Sequence, residues 1–401
     1  MAEDAKEEDS LRVVPAKEIL DKIKKGKPVE YDGVFIDGDL DLSKEESKRI
    51  EHTIKITNSL INGEINFSNY HFLQAVNFSG SRSRDNVIFS GSQFSGKVDF
   101  SGSQFKVDVD FSGSKFSEYI IFWSSQIGGI NFSESQFGKS AEFWEVAFEY
   151  ADFSRSLFCE GVNFMGSQLG TINFSGSHFS GPAEFLGVQF RLNADFRESQ
   201  FNEHTTFRGS QFSEGGDFSR SMFKGDTDFR GLRFSGEYLA FKDADFYEPF
   251  LQEDACRRAK NVLEKNGDRD RAGYHFYREM DGKRKQKPWY IRYPEYAFIQ
   301  LIFGYGVHPW RLMAWWGITI IAFAAIYWAG NGLNGATQLF DYLKFSLATA
   351  IAPGYIATII SPGSTGYKLL PEYQAVAIIE SIFGTFLWAG FIATFARKYM
   401  R

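Results

Sequence analysis

The sequence predicts a multidomain membrane protein: a long stack of coils, a helical linker, and an all-α part in which two transmembrane helices flank a re-entrant pore loop. Three observations predict it. Phe recurs at every fifth and sixth residue through most of the stretch from Phe67 to Phe250. A polar, helix-forming segment follows. Apolar residues then crowd into two runs of the length that crosses a bilayer.

The aromatic beat fixes the first element. The chain holds 43 Phe in 401 residues, and a bias this local signals a repeat. Phe67, Phe78, Phe89, Phe100, Phe111 and Phe122 are eleven apart, and Phe72, Phe94, Phe105 and Phe116 divide those intervals into five and six. The series runs on through Phe132, Phe143, Phe153, Phe164 and Phe174, twice losing a residue, and then through Phe185, Phe196, Phe207, Phe218 and Phe229. Neither a helix nor a simple strand places an aromatic at every fifth and sixth residue on one face. A coil that turns a corner once per repeat does.

The text Val98-Asp99-Phe100-Ser101-Gly102, followed by Ser103-Gln104-Phe105, resembles the pentapeptide-repeat family from about Ile65 to Phe250. The resemblance implies a right-handed, square β-helix of four units per turn. The central Phe and the residue two before it point inward, and Asp or Asn with Gly shapes each corner. An extra residue in most second units lengthens the turn to about 22 residues. Eight coils stacked at about 4.8 Å give a rod on the order of 40 Å. Each Phe contributes roughly 1.5–3 kcal/mol on burial, and Val76, Val98, Val109, Ala151, Val162 and Ala194 fill the space between the rings.

A solenoid needs capped ends. Residues 1–64 are expected to cap residues 65–250, with Ala16 to Lys25 as an amphipathic helix (Ile19, Leu20 and Ile23 inward) and strand-like turns at Val34-Phe35-Ile36 and Leu40-Asp41-Leu42. Residues 251–292 form the linker: Asp254 to Arg284 reads as a helical hairpin broken at Asn266-Gly267, with Ala255, Ala259 and Leu263 on one stripe and Ala272, Phe276 and Met280 on the other. Residues 293–310, rich in aromatic and aliphatic side chains up to Phe303, read as an interfacial helix on the inner leaflet, with Pro309 as a helix breaker.

Residues 311–401 are the membrane part. Leu312 to Trp328 carries no charge, and Tyr373 to Ala396 carries one acid, Glu380. Trp315, Trp316, Tyr327 and Trp328 sit near the ends, as interfacial aromatics do. Lys283, Arg284, Lys285, Lys287, Arg292 and Arg311 precede the first span, and Arg397, Lys398 and Arg401 follow the second, whereas Ala329 to Glu372 holds only Lys344 and Lys368. Both ends are therefore expected inside and the connection outside, in a plasma (inner) membrane with two spans. The acidic start, Met1 to Ser10, has no apolar core of a signal peptide. Gln338 to Thr349 is helical but too short to span, and the uncharged Ala350 to Ile356 follows. Irregular backbone at membrane depth survives only when buried or lining water.

Span, short helix, Gly-containing loop and span together resemble the two-transmembrane members of the potassium-channel superfamily, over Gly304 to Arg401. Phe345-Ser346-Leu347-Ala348-Thr349 is similar to the end of their pore helix, and Gly354-Tyr355 falls on the filter's Gly-Tyr pair. The resemblance implies a homotetrameric cation channel, with a selectivity filter from Thr349, Ala352, Pro353, Gly354, Tyr355 and Ile356 and with potassium or sodium as permeant ions. Ala352 stands where the family has Thr, Pro353 where it has Val, Ile356 where it has Gly, and Ala357 where it has Asp, so weak selectivity is expected. Gly384 and Gly390 are read as an inner-helix gate or hinge, or as close-packing sites. Glu380 either supports the filter from behind or hydrogen-bonds the pore helix. The basic run Lys283 to Arg292 is either an anionic-lipid site or a plain topology signal.

Other functions find little footing. The six His are scattered without a ligand-like cluster, the two cysteines, Cys159 and Cys256, have no framework spacing, and no nucleophilic triad is spelled. No enzyme, metal or cofactor is expected. Asn66 to Phe246 carries 22 acids against 15 bases, too modest an excess for a DNA mimic, so no nucleic-acid partner is expected. The rival to a channel is a non-conducting, membrane-anchored scaffold that presents the solenoid to partners.

Overall fold

The computed structural model describes residues 11–351 and 368–399 and divides into two compact units, one ending at Glu279 and the other starting at Met280. The first is a parallel β-solenoid of about eleven turns. One face is a ladder of ten strands from Val29–Asp32 to Thr227–Asp228, another a ladder of ten from Arg49–Ile50 to Asp245–Phe246, and the remaining two faces merge into a 17-stranded sheet.

The coils extend further toward the N-terminus than the aromatic beat does. Val29 pairs with Ile54 and Ile54 with Val76, so residues expected to cap the rod already belong to it. Their inward positions are Val29, Ile36, Leu40, Ile54 and Ile61, aliphatic rather than aromatic, which is why a reading based on Phe stops short and counts eight coils. The cap itself is the strand Arg12–Pro15 and α1 (Ala16–Lys24), with Ile19 buried and Leu20 and Ile23 packed against the core.

Coil length sets the corner. Val76, Val98 and Ile120 lie 22 residues apart in register, then Ala141, Val162 and Ala183 follow at intervals of 21. Two faces run together as single strands at Gln126–Asn131, Ala147–Asp152 and Gln168–Asn173, which are a residue shorter than the continuous strand Gln104–Asp110 before them, and the register shifts between Phe105 and Asp108 to take up the difference.

Inside, equivalent rings lie over one another. Phe89 and Phe111 stack at 5.1 Å and 4°, and Phe100 and Phe122 at 5.0 Å and 5°. Neighbouring columns meet edge to face, as in Phe100–Phe111 at 5.7 Å and 81°, the arrangement that ring quadrupoles favour. Asp99 and its equivalents brace the corner by accepting the Ser101 amide at 3.0 Å. The next corner residue is left-handed. Gly102 takes φ 66° without steric cost, while Ser124 and Glu145 hold the same conformation at φ 56° and 57°.

The serines divide into two kinds. Those after the left-handed corner residue point inward: Ser92, Ser103, Ser114 and Ser199 are fully buried, and their hydroxyls donate to the carbonyls of Phe67, Phe78, Phe89 and Phe174 one coil back, at 2.8, 2.9, 2.8 and 2.8 Å. A buried carbonyl without a donor is costly; Ser is small enough to supply one inside the corner.

The far end is closed by α2 (Pro249–Lys265) and α3 (Arg269–Lys285), a hairpin broken at Asn266-Gly267 as expected. Leu251, Ala255 and Ala259 of α2 join the solenoid core. Tyr274 Oη donates to Asp243 Oδ1 at 2.9 Å and accepts its amide at 2.8 Å. His275 is buried beside Arg278, and burial pushes its imidazole down to about 4.

In the second unit, α4 (Trp289–Glu295) continues into a π-helical turn, Tyr296–Ile302. This element starts before residue 293, the expected boundary. Pro288 caps it, and Pro294, which lacks an amide donor, precedes the widened turn. Tyr305 turns the chain in a left-handed conformation (φ 53°). Pro309 then opens α5 (Pro309–Ala329), at the helix position where proline loses nothing. The rest is α6 (Leu339–Ile351) and α7 (Gln374–Tyr399).

Two outcomes follow for the solenoid unit, studied as a fragment ending after Lys287. Phe111→Ala should cost about 3–5 kcal/mol and Lys115→Ala, on an exposed site, almost nothing; equal denaturation midpoints would contradict the inward stack. His275 is neutral in the fold, so the unfolded chain binds a proton below about pH 6.5 that the folded chain refuses until about pH 4. Stability should therefore fall by about 1–2 kcal/mol between pH 6.5 and 5, and His275→Gln should flatten that slope in urea titrations.

Candidate functional site

The second unit is built on two helices long and apolar enough to cross a membrane, Pro309–Ala329 and Pro371–Ala396. Only 22% and 28% of their apolar windows are buried within the chain. A soluble core helix hides most of its surface; these leave theirs facing outward, with Ile321, Ile382 and Phe386 more than half exposed.

Between them lies α6. At 1.5 Å per residue it is roughly 20 Å long, too short to span. Its start is fixed by Asp341, whose Oδ2 accepts the Thr337 and Gln338 amides at 3.1 Å each. The ends of the connection are tied by an antiparallel pair, Leu333–Asn334 with Lys368–Leu369. Gly330 and Gly332 make room there for the Tyr373 ring, which a Cβ on either would strike.

The three helices share one buried polar cluster. Glu380 on α7 is fully buried; Tyr327 of α5 donates to its Oε2 at 2.7 Å, and Ser346 of α6 is hydrogen-bonded to its Oε1. Ser346 Oγ also lies 2.8 Å from the Ile320 carbonyl of α5. Phe345 closes over the Tyr327 ring at 5.3 Å and 90°. The sequence singled out Glu380 but not Tyr327 or Ser346 as its partners. Tyr327 read as an interfacial aromatic because it ends the apolar run, and nothing in its spacing from Glu380 could pair them.

The other residues of the expected site fall as follows. Thr349 is buried, and its hydroxyl bonds back to the Phe345 carbonyl at 2.9 Å. Gly384 and Gly390 lie within an unbroken α7 at tight contacts: a Cβ would sit 2.6 Å from Ala350 Cα at the first and 2.8 Å from Phe303 Cε1 at the second. Ala352, Pro353, Gly354, Tyr355, Ile356 and Ala357 lie outside the described residues.

A second polar cluster holds the start of the unit together. Asp281 accepts from Arg284 at 2.8 Å, Lys285 at 2.8 Å and Gln300 at 3.1 Å, and Arg284 Nε donates to Gln300 Oε1 at 2.6 Å. Lys287 pairs with Glu295 at 2.6 Å. Three cations of the run Lys283 to Arg292 are thus engaged within the chain, while Lys283 and Arg292 are exposed, as are Trp289, Tyr290 and Tyr293. Burial, with Arg311 and Lys398 nearby, holds His308 below its usual range.

Removing the shared acid tests the cluster. Glu380→Ala should lower the thermal stability of the detergent-solubilised protein by about 1–2 kcal/mol, Glu380→Gln should recover most of it, and Glu372→Ala, on an exposed site, should change nothing. Equal melting of all three would mean that Glu380 joins nothing.

Among known proteins, the sequence profile described as pentapeptide repeats matches residues 56–104, 67–115, 89–136, 159–211 and 185–233. The repeat part of this chain is accordingly a pentapeptide-repeat solenoid. No curated protein matches the chain. Among solved structures it aligns with a trypsin-treated variant of QnrB1, a plasmid-mediated fluoroquinolone resistance protein, at 16% identity and a TM-score of 0.20, over 60% of this chain and 97% of that one.

Proposed function

We propose that this pentapeptide-repeat solenoid is carried on a membrane pore: a homotetrameric cation channel of the potassium-channel type, weakly selective, with the solenoid in the cytoplasm for regulation or assembly. The observation that carries the reading is α6, a helix too short to span, fastened by Ser346 between two spanning-length helices through Glu380 and Tyr327. A short helix ending where an uncharged Gly-containing segment begins is how carbonyls are brought to an ion path. The outward apolar faces of α5 and α7 support a surround of lipid and further copies of the chain. The Lys and Arg distribution supports inside termini.

On this reading the carbonyls of Ala352, Pro353, Gly354 and Tyr355 line the filter, and Glu380 holds the helix behind it. Gly384 and Gly390 let α7 approach Ala350 and Phe303 closely, which favours packing over hinging at these positions. The exposed cations Lys283 and Arg292 and the exposed aromatics Trp289, Tyr290 and Tyr293 suit an anionic leaflet. No chemistry is assigned to the unit, so we read the protein as a non-enzyme without cofactor.

The second reading, a non-conducting scaffold anchored by the same helices, is favoured by the filter text. Ala352 lacks the hydroxyl of an inner ion site, and the β-branched Ile356 resists the left-handed backbone that Gly would allow there. Ion flux into liposomes containing the purified chain separates the two: cation flux supports the channel, and its absence the scaffold. In a conducting protein, Ala352→Thr with Ile356→Gly should move reversal potentials under potassium and sodium gradients toward potassium. Wild-type currents that already reject sodium would refute weak selectivity, and anion currents would refute the cation assignment.

A further inference from the structure

One corner of the solenoid departs from the rest. After the inward column of Phe100, Phe122, Phe143, Phe164 and Phe185, the outward residue is small at first (Ser79, Ser101) and then large and apolar through four successive coils: Trp123, Trp144, Met165 and Leu186. Arg208 and Arg230 end the series. Trp123, Met165 and Leu186 stay 44%, 40% and 37% exposed, and Trp144 is half-buried by stacking on Trp123 at 5.0 Å and 18°.

The stripe is rigid. Each of its residues is gripped by the corner ladder: Gly102 N donates to the Trp123 carbonyl at 2.8 Å, Ser124 N to Trp144 at 3.2 Å, Glu145 N to Met165 at 2.9 Å and Gly166 N to Leu186 at 3.0 Å. Trp123 Nε1 also donates to Glu145 at 3.2 Å. These bonds fix the backbone beneath the row, and the Trp123–Trp144 stack with the Nε1 bond restrains the two indoles, so part of the ordering cost of a contact is already met.

We propose that this stripe is where the solenoids of two copies of this chain meet. The inference rests on the homo-oligomer reading above. Area selects the occupant. The stripe exposes on the order of 300 Å² per copy, so two copies bury less than the roughly 1,200 Å² that a stable encounter between free proteins needs. A contact this small holds only between partners already kept close, where the effective concentration is high. Copies joined through their membrane helices meet that condition and a free soluble partner does not. A stripe that meets its own copy is a two-fold contact, so four copies would pair their solenoids two by two. The charged Arg208 and the polar Ser101 bound the apolar row and penalise sliding by a coil.

The test is cross-linking of the full chain in detergent, in a Cys159→Ser background because Cys159 is exposed. A Cys is placed at Met165 or at Ser175, the equivalent corner two faces further round, and a short bis-maleimide is added; native mass is measured in parallel. Covalent dimers should dominate for Met165→Cys and be scarce for Ser175→Cys, and adding Trp144→Glu should cut the Met165→Cys yield several-fold at unchanged native mass. An oligomeric mass with equal or absent cross-linking at the two sites would overturn the stripe while leaving the oligomer standing. A monomeric mass would overturn both.

Discussion

The structure of the first unit depends on one requirement, that the chain return after each turn to a point directly over where it began. Apart from the corner turns, such as Ser103 N to the Phe100 carbonyl at 3.1 Å, the backbone amides and carbonyls of a coil must bond to the coil above and the coil below. The requirement explains why identical residues recur at identical stations. A ring stacked on a ring of the same kind leaves no step in the core, as along Phe100, Phe122 and Phe143 (5.0 and 5.5 Å). It explains the buried Ser, which repeats because the carbonyl it serves repeats. It also explains why a lost residue must be taken up at a corner: a deletion on a face would turn every later side chain inside out.

How much of this was legible follows from which residues advertise their environment. Phe111 and its neighbours announced an interior, because nothing else keeps an aromatic beat of five and six. Val29 and Ile54 occupy inward stations too and announced nothing, and Leu40 announced only a strand-like turn of the cap, since aliphatic residues at such spacing are common in any strand. Ser114 carried no such signal, because its burial is visible only through the carbonyl of Phe89, a full coil away. In the helical unit, both long apolar helices and the short helix were plain from hydropathy and length. A hydrogen bond between Glu380 and the short helix was one of two readings, and Ser346 makes it; Tyr327 was hidden, because its contact with Glu380 depends on how helices pack rather than on any local spacing.

Glu380 illustrates a different economy from the solenoid. A polar group far from water is tolerated only when fully engaged, and here one carboxyl group engages donors from two other helices. Deleting any one member leaves the remaining groups unsatisfied, so the cluster fixes how the three helices meet more firmly than apolar contact could. The neighbouring close approaches at Gly384 and Gly330 follow from the same packing, since a helix held at a fixed depth leaves no slack for a side chain at the points of nearest contact.

The coil-to-coil bonding has a mechanical consequence. Each turn is secured only to the two beside it, so a pull on the far end of the chain acts on the last turn alone, and that turn must peel away before the next is strained. The α2–α3 hairpin, with Leu251, Ala255 and Ala259 pressed into the final coil, sits where such peeling would start. A solenoid closed in this way resists tension like a zip with its slider pinned: stiff while the hairpin stays seated, and open to unwinding turn by turn once it is drawn off.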